Sequence, residues 1–338
     1  MNHRLLKTTL FSLALSLAGC GPADAELDAT ADADSPSIAD LPTQRQALTT
    51  SRIKYVFVIA MENHAAAQIY GSASAPYING TLIPNYGHAT NYVDNLASTI
   101  PSEPHYVWLE AGTNAFSDLT FTTDNVPSSV NATTSTAHLS TQIKNATNGV
   151  SWMSYQEGLN STTGSCPIAV NGFYAPKHDP FLFFKDVVGA TPSKTNAYCV
   201  AHHKPYSSLA TDLANKTVAT YNFITPNQCN DMHGQSGCTD TDYVHAGDVW
   251  LQNNLPQLIS FSNANQGLIL VVWDEPETSG TMPFLVIGPQ VKPNFANSIT
   301  LSHSSVLKSV EQILNLPTLS TVTSANDLSS FFNTGTYP

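Results

Sequence analysis

Charge is scarce in this 338-residue chain: Asp, Glu, Lys and Arg make up only 11% of it, against about a quarter in an ordinary globular domain. Bases are the scarcer sign. Thirteen Lys and Arg face 25 Asp and Glu, for a formal net charge of −12. No basic stripe exists for a phosphate backbone to lie on, which excludes nucleic acid as a main partner. Arginine is nearly missing, Arg52 being the only one after residue 50. There is no C-x-x-C pair, no internal repeat, and no apolar run long enough to span a bilayer as a permanent helix. What is plentiful is apolar side chain, 42% of residues, enough for a large core and too much for a disordered chain.

The ends of the chain differ in kind. Arg4 and Lys7 precede an apolar run, Leu10 to Leu17, which closes on Leu17-Ala18-Gly19-Cys20. A positive region, an apolar segment and a small-residue site read as an export signal over residues 1–20, and this ending resembles a bacterial lipobox with Cys20 as the lipidated residue. An ordinary signal peptide cut near Ala23 or Ala25 is the alternative. Residues 21–50 carry six acids (Asp24, Glu26, Asp28, Asp32, Asp34, Asp40) against Arg45 alone, a composition that cannot bury a core and reads as a disordered acidic linker. The folded domain is expected over 51–338. Any membrane association is expected only through a lipid anchor.

Beyond Cys20 there are Cys166, Cys199, Cys229 and Cys238. In an exported chain an even number points to disulfides. Three pairings exist; Cys166–Cys199 with Cys229–Cys238 closes the shortest loops. Zinc ligation is the rival reading, disfavoured by the absent C-x-x-C spacing.

Apolar β-branched runs at Ile53–Met61, Val218–Thr225, Gly267–Trp273 and Pro283–Ile287 read as buried strands. Helical patterns at Pro104–Gly112, Tyr206–Ala214, Ala246–Leu255 and Ser304–Leu314 alternate with them. The alternation predicts an α/β fold, a mostly parallel central sheet with helices on both faces. The Asn/Ser/Thr-rich stretch Thr120–Asn148 reads as surface loop or lid.

Parallel sheets bind ligands at the carboxyl ends of their strands, and three of these strands end in ligand-type residues. The first gives Glu62-Asn63-His64, the second leads to Asp231 and His233, the third gives Asp274-Glu275. Paired oxygen donors with nearby histidines are what a divalent cation requires. Each cluster alone could be no more than a helix cap; three on one sheet edge are harder to dismiss. Ser102 stands just before Pro104 at an expected helix start, where a hydroxyl is either an N-cap or a nucleophile favoured by the helix dipole.

Met61-Glu62-Asn63-His64, Pro101-Ser102-x-Pro104-x-Tyr106, Lys177-His178-x-Pro180-Phe181, Pro226-Asn-x-Cys-Asn-Asp-Met-His233, Gly247-Asp248-x-Trp250-Leu251, Trp273-Asp274-Glu275 and His303-Ser304 occur in that order. Together they resemble the bacterial phosphoesterase family of secreted acid phosphatases and phospholipases C, within the alkaline phosphatase-like superfamily. The resemblance spans residues 52 to 318 and favours the short acid phosphatase branch. It implies a phosphoesterase domain that hydrolyses small phosphate monoesters through a phosphoserine. A divalent ion (calcium, magnesium, manganese, zinc or iron) would be bound by Glu62, Asn63, Asp274 and Glu275. Ser102 would attack phosphorus. Asp231, His233 and His303 would hold phosphoryl oxygens or a second metal, and His178 would donate to phosphate or protonate the leaving oxygen. A phospholipase C-type phosphodiesterase and a non-catalytic surface-binding lipoprotein are the alternatives. A sulfatase is disfavoured because Ser102-Glu-Pro-His105 lacks the arginine of the maturation motif. Oligomeric state is left open.

The family's Pro-Asn-Tyr is here Pro104-His105-Tyr106, so His105 either replaces the asparagine at phosphate or alters the pH profile. With Arg52 the only arginine in the domain, neutralising a phosphate dianion falls to metal, histidine and backbone amides, with Lys177 and Lys204 the nearest cations. Other residues have plainer expected roles. His88, His138 and His245 are expected on surface or loops, His202-His203 either at the active-site rim or as a structural or exposed pair, and Trp108, Trp152 and Trp250 in the core. Glu103, Glu157 and Asp248 would orient their neighbours.

Overall fold

The computed structural model describes residues 53–159 and 164–338. The leader and linker expected over 1–50 lie outside the described residues, as does Arg52. Among the described residues eight strands form one sheet: β1 (Tyr55–Met61), β2 (Gly87–Ala89), β3 (Trp152–Gln156), β4 (His203–Pro205), β5 (Tyr221–Thr225), β6 (Gly267–Trp273), β7 (Phe284–Ile287) and β8 (Phe295–Asn297). Their order is β4-β3-β5-β1-β6-β7-β2-β8. β7 alone runs against its neighbours, and every other pairing is parallel. The expected α/β class is therefore what the chain adopts.

β1 and β6 lie at the centre, covered on both faces, which is why their sequences are unbroken apolar runs rather than alternating ones. Each buried Val, Leu or Ile is worth about 1.5–3 kcal/mol relative to exposure, so a charge inside either strand would not be tolerated. They pair from Tyr55↔Gly267 to Met61↔Trp273. That register brings Glu62 and Asp274 off the sheet side by side. β5 flanks β1 on its other edge and delivers the loop carrying Asp231 to the same end.

The helix expected to stop at Leu255 runs from Tyr243 to Asn265, straight through Pro256. Proline forfeits one backbone hydrogen bond, but Leu255, Leu258, Ile259 and Phe261 on either side of it are buried, and that burial outweighs the loss. Asp242 caps its start through the His245 N–H at 3.1 Å. The stretch Thr120–Asn148 is not simply surface. It contains a helix, Leu139–Asn145, and buries Phe121, Ala132, Thr133 and His138. His138 is a second correction: fully buried, it sits between Glu110 and Asp186 at 2.9 and 3.0 Å. Burial alone would lower its pKa, yet these carboxylates raise it. An isolated histidine in a polar stretch gives no sign of such partners, which come from elements 28 and 48 residues away.

Cys166–Cys199 and Cys229–Cys238 are bonded, the pairing with the shortest loops, and such bridges belong to an oxidising compartment. His202 stacks on Trp152 with centroids 4.5 Å apart, and His203 is buried, so this pair is structural. Trp152 and Trp250 are in the core. No described helix is long and apolar enough to cross a membrane.

Candidate active site

Four neighbouring strands, β3, β5, β1 and β6, point their carboxyl ends the same way and bring together chain segments more than two hundred residues apart. Glu62 leaves β1 with its N–H bonded to the Asp231 carbonyl at 2.8 Å, and the Asp274 N–H bonds the Met61 carbonyl at 3.0 Å. Asn63 takes a left-handed φ of 47°, which asparagine tolerates better than most residues, and its N–H donates to Asp274 Oδ1 at 3.0 Å. The same Oδ1 accepts from the Glu275 N–H at 2.7 Å.

Ser102 is the first residue of the helix Ser102–Ala111, which follows an extended Pro101. The residue is buried, and its Oγ donates toward two carboxylates, Glu62 Oε2 at 3.1 Å and Glu275 Oε1 at 3.2 Å. The other oxygen of Glu62, Oε1, faces His178 Nε2 at 3.2 Å, while His178 Nδ1 faces Asp231 Oδ2 at 3.4 Å. Neither contact is aligned as a hydrogen bond. The His178 ring is held by stacking on Tyr106, with centroids 5.1 Å apart and planes 11° apart. Tyr106 lies one turn along the Ser102 helix, so one helix supplies both the hydroxyl and the platform for the imidazole.

Two oxygens at about 3 Å from one hydroxyl have the spacing of ligands that share a hard cation. Asn63 Oδ1, Asp274 Oδ2, Glu62 Oε1 and Asp231 Oδ2 are buried without hydrogen-bond partners, an expensive state that a cation relieves. Glu62, His178 and Asp231 also form a group whose ligand atoms lie within 4.8 Å of one another. The electrostatics agree. Burial first, and then Asp231, push the Glu62 carboxyl well above its usual range. Burial also raises Asp231 and Asp274 strongly, and it carries Glu275 up to about 8. Four carboxylates are thus packed where water is scarce, and the residues present fit a divalent ion.

The remaining candidates fall into place around this centre. His233 donates its Nδ1–H to the Gly234 carbonyl at 2.6 Å, which leaves Nε2 as the free nitrogen; its ring centroid is 5.9 Å from that of His178. His303 sits behind the site. Its Nε2–H donates to the Asp274 carbonyl at 2.7 Å, and its Nδ1 accepts from Tyr92 Oη at 2.7 Å. Both nitrogens serve the fold, so His303 braces Asp274 rather than facing a ligand. His105 is likewise turned away from any substrate. Its Nδ1 meets the Pro101 carbonyl at 3.0 Å and its Nε2 meets Asp94 Oδ2 at 3.1 Å. Two acceptors demand two ring protons, and although burial pulls the pKa down, Asp94 carries it up to about 9. His64 Nδ1 turns back to the Glu62 carbonyl at 3.1 Å.

Glu157 accepts from the Asn227 N–H at 2.9 Å and from Asn230 Nδ2 at 3.0 Å, fixing the loop that carries Asp231. Asp248 accepts the N–H groups of Tyr77 and Ile78, each at 2.8 Å. Lys204 is committed to Asp212 at 2.7 Å. Sequence reading missed Tyr92, Asp94 and Asp124. All three lie in loops without periodic pattern, and only contact with the serine helix or with His303 gives them a role.

The chain belongs to the Phosphoesterase family, which matches it over residues 91–317. It is 30% identical over 273 residues to a phosphatidylinositol-3-phosphatase of Mycobacterium tuberculosis, covering 80% of each chain. It is 27% identical to a probable acid phosphatase of Kluyveromyces lactis, covering 88% of this chain and 69% of that one. A solved alkaline phosphatase superfamily protein from Vibrio parahaemolyticus superposes with a TM-score of 0.51 at 12% identity, over 83% of this chain and 70% of that one; that likeness concerns the fold. The protein is a phosphoric ester hydrolase with an alkaline phosphatase-like fold.

Proposed function

We propose that the protein is a metal-dependent phosphomonoesterase in which Ser102 attacks phosphorus and carries the phosphoryl group as an intermediate. The observation behind this reading is the placement of Ser102 Oγ between Glu62 and Glu275, beside orphaned oxygens of Asn63 and Asp274. Those four residues would hold a divalent ion, with His178 and Asp231 extending the donor set past Glu62. When bound, such an ion supplies charge neutralisation and Lewis acidity.

The chain's own residues do the rest. Glu275, one of the two carboxylates that face the Ser102 hydroxyl, would take its single proton as Oγ forms its bond to phosphorus. The helix start directs backbone N–H groups toward the phosphoryl oxygens. The ester oxygen departs with the electron pair of its broken P–O bond and needs a proton. His233, half-buried and with its tautomer fixed through Gly234, would give it; burial lowers its pKa, so this role requires solution acidic enough to protonate the ring. His178, neutral because burial depresses its pKa, holds Glu62 and Asp231 apart. Water then cleaves the phosphoserine, and Ser102 regains its proton. The substrate is a small phosphorylated molecule, and the chain acts outside the cytoplasm, tethered through Cys20.

Ser102→Ala should lower p-nitrophenyl phosphate turnover by at least about 10³-fold with unchanged circular dichroism and melting temperature. Near-normal turnover in a folded variant would reject Ser102 as the nucleophile. Cys20→Ala should abolish palmitate labelling in cells, and labelling that persists would remove the tether.

A further inference from the structure

A carboxylate is held against the first turn of the serine helix. Asp124 Oδ1 accepts the N–H of Glu103, the residue after the nucleophile, at 2.9 Å, and Asp124 Oδ2 accepts from Lys177 Nζ at 2.5 Å. A backbone N–H in the first turn of a helix together with an ammonium is the donor pair that holds two phosphoryl oxygens. Lys177 immediately precedes His178 in the chain, and its charge acts on Glu62, Asp231, His178 and His233.

We infer that Lys177 is the cation that binds the substrate's phosphoryl group, and that Asp124 is an internal stand-in for that group which a phosphomonoester dianion displaces. The inference rests on the phosphatase reading above. Displacement requires only a side-chain rotation. The backbone beside Asp124 stays fastened to the serine helix, because Glu103 accepts from the Asn125 N–H at 2.6 Å and from Asn131 Nδ2 at 2.9 Å. The Asp124 side chain is 30% exposed and that of Lys177 20%, so the released carboxylate returns to water. With no arginine among the described residues, Lys177 takes the place of a guanidinium, and a dianion gains more from it than the monoanion of a diester does. Asp124 weakens binding of every anion by a common factor, and the preference for doubly charged ones comes from the Lys177 charge.

The test uses the metal-loaded enzyme with two probes, p-nitrophenyl phosphate for kinetics and inorganic phosphate for binding. Lys177→Met should raise KM, and the inhibition constant of inorganic phosphate, by about tenfold or more with a smaller change in kcat; Lys177→Arg should recover part of the loss. Asp124→Asn should move both constants the other way, by about three- to tenfold. Calorimetric titration of inorganic phosphate into Ser102→Ala, alone and combined with Lys177→Met or Asp124→Asn, repeats the test without turnover. It separates this inference from the phosphatase reading, which fails by itself if the wild type hydrolyses no monoester. If Lys177→Met does not fold, Lys177→Gln replaces it under the same criteria. Unchanged phosphate affinity in a folded Lys177 variant, or weaker affinity in Asp124→Asn, would overturn the proposal.

Discussion

Asp274 Oδ1 accepts the backbone N–H of Asn63 at 3.0 Å across 211 residues of chain. This bond fastens the ends of the two central strands and sets the distance between the donor groups each one carries. The other oxygen of Asp274 is left buried and unpaired, so Asp274 combines a structural duty with one toward a cation.

Asp274→Asn keeps an acceptor for Asn63 but removes the charge. The expected result is a near-native melting temperature in chelator and a loss of metal affinity of at least about 10-fold, read by calorimetric titration with manganese or zinc. Equal affinity in wild type and variant would remove Asp274 from the donor set.

His303 and Tyr92 discriminate a ligand from a brace. If His303 supports the Asp274 carbonyl from behind, Tyr92→Phe should lower metal affinity through the His303 ring, and His303→Gln should lower it by about 10–100-fold without abolishing it. Elemental analysis after dialysis checks both. Complete metal loss in His303→Gln with none in Tyr92→Phe would make His303 a direct ligand.

Removing the metal should make stability fall with rising pH. The Glu275 carboxyl is raised, chiefly by burial, to about 8, so the folded state without metal holds a proton that the unfolded chain releases near its ordinary value of about 4.3. Stability is then lost as pH rises from there to about 8. Melting scans in chelator from pH 5 to 8 should show that decline, and added divalent ion should flatten it.

The sign reverses for His105. Its pKa is raised to about 9 in the fold, so its pairing with Asp94 contributes stability that is complete below about pH 6.5 and lost as pH rises through about 9. The melting difference between wild type and His105→Asn should be largest at pH 6 and shrink by pH 9. A constant difference would show that the ring is neutral.

Gly234 has φ of 71°, and a Cβ there would lie 2.2 Å from the Tyr243 ring. Gly234→Ala should cost about 1–3 kcal/mol, measurable by urea unfolding. It should also lower activity, because relieving the clash shifts the residue 234 carbonyl that fixes the tautomer of the neighbouring His233.

The sequence by itself determined where the central strands lie and what stands at their ends. β1 and β6 must be apolar throughout because both faces are covered, and the abrupt change to Glu62-Asn63 and Asp274-Glu275 marks the point where the chain leaves the core. Ser102 was legible only as a candidate, since a serine two residues before Pro104 at a helix start could equally be an N-cap; the fold puts Pro101 at the cap and Ser102 inside the first turn. Tertiary structure alone decided what each histidine does. A ring's task depends on what meets its two nitrogens, and those partners come from distant loops. His178 faces Glu62 and Asp231, His303 is closed between Tyr92 and Asp274, His105 is paired with Asp94, and His138 lies buried between two acids. Burial and partner identity, which set both proton count and pKa, are properties of the packed molecule and leave no periodic trace along the chain.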